Sequence, residues 1–157
     1  MSRWLGVIGV CAVILVLGVG KSEGAERAGR ITRVSKVGFA KIASALKQTI
    51  DDHKMWLVCH ANAQAGAATR GVRIQGNQVF MIFRPDLAIR MLKANVEAGF
   101  EAPMRIYLYE NTDGSATIAY VRPSTLFKPY GSRELDALAA ELDSIFEQIV
   151  ARALEVH

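Results

Sequence analysis

Cysteine is nearly absent from this chain. The 157 residues hold two, and Cys11 lies inside an N-terminal apolar run, so the rest of the chain keeps only Cys59. That remainder has no intrachain disulfide, and its stability has to come from packing. Histidine is scarce as well, with three in all. The chain carries no Cys-x-x-Cys, no Cys-x-x-Cys-His haem-attachment site, no Gly-x-x-x-x-Gly-Lys loop and no His-Glu-x-x-His helix. Dithiol exchange, covalent haem, P-loop phosphate binding and the zinc-protease pattern therefore have no motif to rest on. Positive charge is in mild excess, 19 Lys and Arg against 15 Asp and Glu, but it is scattered along the chain. A nucleic-acid surface concentrates its basic residues on one face with aromatics between them, so no nucleic-acid partner is expected. There is no internal repeat and no long low-complexity stretch.

What is present begins with Leu5 to Val19, an unbroken apolar run behind Met-Ser-Arg-Trp. A charged start, an apolar stretch and a small, polar exit are the parts of a secretory signal or a short membrane anchor. The run is about fifteen residues, short of the roughly 20 that a full span needs, which favours a cleaved signal. The absence of an Ala-x-Ala site favours an uncleaved anchor instead, and both fates stay open for residues 1–25. Lys21, Arg27, Arg30, Arg33 and Lys36 follow the run, and the positive-inside tendency alone would keep that side in the cytoplasm. N-terminal signals usually send the downstream domain outward, and Glu23 and Glu26 offset part of the charge, so the expected location is the exported, periplasmic side of a membrane. Residues 26–36 read as a basic tether and the start of a first strand, either solvated or drawn to anionic headgroups.

Residues 37–157 read as one domain. Alternation over Arg30 to Val37 predicts a strand, and Phe39, Ile42, Ala43, Leu46 and Ile50 fall on one helical face. Strands are expected at Met55 to His60, Gln78 to Phe83, Met104 to Tyr109 and Ala116 to Val121, with a further piece at Val72 to Ile74. The last two full strands are joined by Asn111-Thr112-Asp113-Gly114, a hairpin turn. Pro85 opens a helix whose buried face is Leu87, Ala88, Met91, Leu92 and Val96, with Gly99 as its end. Pro123 to Gly131 reads as loop, and Ser132 caps a long final helix carrying Leu135, Leu138, Leu142, Ile145 and Ile149. The order β-α-β-β-α-β-β-α predicts an α/β (α+β) two-layer sandwich, a largely antiparallel sheet with helices on one face.

With this order, the chain resembles the domain of unknown function 302 family. The resemblance runs from about Val37 to Tyr130. It is carried by His60 with Ala61-Asn62-Ala63-Gln64-Ala65, Val79 to Phe83 leading into Arg84-Pro85, Glu101 to Glu110, Asp113-Gly114 and Tyr120. It implies a fold and a tendency to dimerise, but no reaction. Where the family pattern has Asp-His, Asn-Pro and Asp-Leu-Pro, this chain has Cys59-His60, Arg84-Pro85 and Glu101-Ala102-Pro103. A carboxylate–imidazole site would lack its first member here, with Glu101 the one substitute.

His60, at a strand end, is the side chain best suited to a metal, a haem or a proton transfer, and the alternative is a histidine bonded to nearby backbone. Cys59 beside it would point to the opposite strand face, so the two can share an ion only if the strand stops between them. Met91 and Met104 are soft-ligand candidates that apolar spacing also explains as core. Arg84, Glu101, Arg105 and Tyr120 are candidates to line one pocket, and Tyr107 and Tyr109 to form a partner surface. Phe146, Val150 and Ala153 widen the stripe of the last helix, leaving surface for a second copy or, failing that, a membrane-complex subunit. The reading is an exported, membrane-associated, non-catalytic binding or assembly module. The rival is a redox protein holding haem or a transition metal through His60.

Overall fold

A computed structural model describes residues 29–156; the apolar run and the first residues of the tether, 26–28, lie outside them. The strands are β1 (Arg30–Ser35), β2 (Trp56–Asn62), β3 (Asn77–Phe83), β4 (Met104–Glu110) and β5 (Ala116–Val121). The helices are α1 (Phe39–Asp52), α2 (Ala63–Ala68), α3 (Pro85–Ala94), α4 (Pro123–Phe127) and α5 (Arg133–Leu154). The five strands form one sheet in the order β1-β5-β4-β3-β2, and every neighbouring pair is antiparallel. This is the α/β sandwich that the order of elements predicts, with short helices added between the main ones.

The period of two along each strand decides which face is covered. Phe80 and Ile82 on β3, Met104, Ile106 and Leu108 on β4, and Ile118 and Tyr120 on β5 are buried and share one face through their register. Phe39, Ile42, Ala43, Leu46 and Ile50 of α1 join the same core, as do Leu87 and Met91 of α3 and the apolar stripe of α5. The residues that alternate with the buried ones, among them Val79, Met81, Arg105, Tyr107 and Tyr109, are half-buried or exposed. The second face of the sheet is therefore left open along β3 and β4, whereas Thr117 and Ala119 of β5 are buried on it.

Local chemistry sets the element ends. Ser132 Oγ accepts from the Leu135 N–H and starts α5. Asn95 leaves the helical region, its Oδ1 accepts from the Glu97 N–H, and α3 stops at Ala94 in favour of a 3-10 turn over Val96–Glu101. The expected helix to Gly99 is thereby cut short, and Leu92 and Val96, expected to be buried, are exposed. Val72 to Ile74 is not a strand and joins neither edge of the sheet. The loop expected at Pro123 to Gly131 contains α4, whose first turn is held from a distance: Asp143 of α5 accepts from the Ser124 N–H at 3.0 Å and from its Oγ at 2.6 Å. Gly76 precedes β3 where a Cβ would stand 2.5 Å from the Phe39 ring, so only a bare backbone lets α1 close on this edge.

The helical stripe of α5 is consumed within the chain. Phe146, Val150 and Ala153 are buried, and α5 packs on α1, α3 and α4. These three residues, expected to leave surface for a second copy, are therefore taken up within the chain.

Candidate functional site

Strand β2 continues through Asn62, so Cys59 and His60 are not at a strand end and lie on opposite faces. Cys59 pairs with Met81 and is exposed on the open face; His60 pairs with Phe80 on the helix side. The His60 ring packs on the Phe80 ring at 4.8 Å, and its Nε2–H donates to Gln78 Oε1 at 2.9 Å. Gln78 is largely buried, so this bond supplies a donor to an amide oxygen with little access to water. Among the described residues, no three of His, Cys, Asp and Glu come close enough to hold a metal ion. Met91 and Met104 are both core.

Arg84 belongs to the helical layer. Its guanidinium meets Asp86 at 3.0 Å and Glu141 of α5 at 3.5 Å, and Arg90 meets the same Glu141 at 2.7 Å. These contacts tie α3 to α5 and leave Arg84 away from the open face.

A broad concavity lies on the open face. It is a hollow of about 650 Å³ whose floor is Val79, Met81, Tyr107, Ala119 and Val121. Val79, Tyr107, Ala119 and Thr32 are paired across β3, β4, β5 and β1, so the floor follows one row of the sheet. In the neighbouring row Met81 pairs with Arg105 and Val121 pairs with Arg30. Val121 also stands one register step beyond the Ile106–Tyr120 pair of β4 and β5, next to Arg105. Both arginines are exposed, and neither makes an ion pair with another described residue. Phe100 to Pro103 form a wall, and the Ala102–Pro103 peptide bond in it is cis.

Two candidates from the sequence meet at this hollow. Glu101 stands in the wall, where its Oε1 accepts from the Tyr130 hydroxyl at 3.0 Å. Partial burial, with the Glu101 carboxylate beside it, pushes the Tyr130 phenol up from its ordinary value. Tyr120 borders the hollow, but its ring packs on Phe146 at 5.4 Å on the helix side, and burial, then Glu147, pushes its phenol up. It is a buried support and not a residue of a polar strand face. Arg105 and Tyr107 join them, while His60, Cys59 and Arg84 do not line the hollow. Sequence reasoning missed Arg30, Val79, Met81 and Phe100. The signal for β3 was the run Val79-Phe80-Met81-Ile82-Phe83, apolar on both faces although only one is covered by helices.

Apolar exposure continues past the wall. Ile89, Leu92, Val96 and Phe100 are 55%, 46%, 74% and 90% exposed, along α3 and the 3-10 turn that leads into the hollow.

The family model described as "Domain of unknown function DUF302" matches residues 31–153. A crystal structure of an uncharacterized conserved protein DUF302 from Bacillus stearothermophilus is similar in fold, with a TM-score of 0.71 at 16% identity over 80% of this chain and 98% of that one. No curated protein matches the sequence.

Proposed function

The chain belongs to the DUF302 family, and within that fold we propose that it is a non-catalytic binding module working at a membrane on the exported side. The observation that carries the reading is the open sheet face: a half-covered apolar and aromatic floor, hollowed to about 650 Å³, on an otherwise well-closed core. Ligand sites are commonly concave, mostly apolar and edged by a few polar groups, and this hollow has that composition. The membrane part rests on two separate features. One is the apolar run Leu5 to Val19 with its small, polar exit. The other is the exposed row Leu92, Val96 and Phe100, since apolar side chains grouped on a surface mark contact with a membrane or a partner. Among the described residues no helix is long and apolar enough to cross a bilayer, so any anchoring belongs to the segment before them.

The test is a topology measurement on the full chain. Alkaline phosphatase fused to the C-terminus should be active, and the fusion should sediment with membranes or be recovered from the periplasm. An intact chain recovered from soluble cytoplasm with an inactive fusion would end the proposal.

A further inference from the structure

We propose that the hollow on the open sheet face binds an amphipathic anion, its apolar body lying on Val79, Met81 and Tyr107 and its carboxylate or phosphate held between Arg30 and Arg105. This rests on the binding-module reading and names its ligand class. The argument begins with charge. Arg30 and Arg105 flank Val121 in one cross-strand row, which puts their backbones about 10 Å apart, two strand spacings. Guanidinium groups reach far enough from such positions to meet on one anion, and their forked donors match carboxylate and phosphate oxygens. Neither has an acidic partner among the described residues. Glu101, the one acid of the lining, stands four residues before Arg105 in the chain, and its carboxylate accepts from the Tyr130 hydroxyl and not from either arginine. Two guanidinium groups against one carboxylate leave the lining with net positive charge over an apolar floor.

Volume and access point the same way. About 650 Å³ is within the range of ordinary small-ligand sites, roughly 300–1,000 Å³. The Phe100 wall is continuous with exposed Val96, and Leu92 lies against Gly99. A ligand that partitions into lipid would meet apolar surface before it reaches the arginines. The ligand can be a free acid from water or an acidic lipid from the bilayer, since both present the same chemistry.

The experiment uses the full chain in phosphatidylcholine nanodiscs and two photolabels. One is a diazirine-bearing decanoate added to the water; the other is phosphatidic acid with a diazirine in its acyl chain, placed in the bilayer. The uncharged diazirine decanol is the control. Saturable labelling of Val79, Met81, Phe100 or Tyr107 by an acidic probe is expected, displaced by unlabelled decanoate in the first arm and by unlabelled phosphatidic acid in the second, and whichever arm labels identifies the source. The Arg30→Gln/Arg105→Gln double variant should lose labelling by about ten-fold or more with its melting temperature unchanged, while the Arg30→Lys/Arg105→Lys pair should keep most of it. Equal labelling by decanol, full labelling of the glutamine variant, or no labelling in either arm would overturn the proposal. So would crosslinks from the hollow to residues 1–28 or to a second copy, which would show the chain itself as the occupant. Loss of labelling with an active phosphatase fusion removes the ligand and leaves the membrane reading standing; a cytoplasmic chain removes the membrane reading whatever the labels do.

Discussion

Truncating His60 to alanine would take two things from the strand beside it, the ring stacked on Phe80 and the donor to Gln78. A buried amide oxygen left without a donor costs about 1–3 kcal/mol, so His60→Ala should melt several degrees lower while remaining folded. Calorimetry of the two proteins checks this, and an unchanged melting temperature would mean that water already serves Gln78. Asp113 offers a pH-dependent counterpart. The Ser115 hydroxyl and N–H donate to its carboxylate and hold it below its usual value of 3.8. A carboxyl lowered in the folded state stabilises fully above its unfolded value and loses that contribution as pH falls through the folded one. Asp113→Asn should therefore be less stable at neutral pH and show a shallower loss of stability below about pH 4, read from melts across an acid series. Of these two residues only Asp113 had a role legible in the sequence, as part of a turn before Gly114. The partner of His60 lies 18 positions away, and only the β2–β3 register brings it there.

At the scale of elements, periodicity was the reliable guide wherever a whole face enters the core. Helix α1 and the stripe of α5 fall where their spacing places them. Periodicity fails where pairing or a remote cap decides. Val72 to Ile74 has strand composition but pairs with no strand of the sheet, α4 depends on Asp143 from another helix, and Asn95 ends α3 before its apolar spacing runs out. The width of the α5 stripe was misread for a related reason: sequence shows how much apolar surface a helix carries, not how many neighbours it meets. Phe146 faces Tyr120 and is fully buried. Phe146→Glu should therefore unfold the domain, since an unpaired carboxylate in a packed core costs several kcal/mol. A folded, monomeric variant replacing a dimeric parent, seen by light scattering with circular dichroism, would restore the helix as an assembly surface.

For the whole molecule, the asymmetry between the two sheet faces is the feature from which function is argued, and strand β3 lets it be measured with adjacent residues. Phe80 faces the helices with no exposure, whereas Met81 faces the hollow half-buried. Phe80→Ala should cost about 3–5 kcal/mol, as large core truncations do. Met81→Ser should cost less, about 1–2 kcal/mol, because part of its surface already looks outward and no helix-side packing is lost. Denaturant melts of the full chain give both values. A small effect at Met81 means that the open face is free in the resting protein, with its apolar floor kept for an incoming ligand and not for stability. A Met81 effect as large as that of Phe80 would mean that the face is covered, by residues 1–28 or by a second copy, and that what reads as a binding surface is part of a larger core.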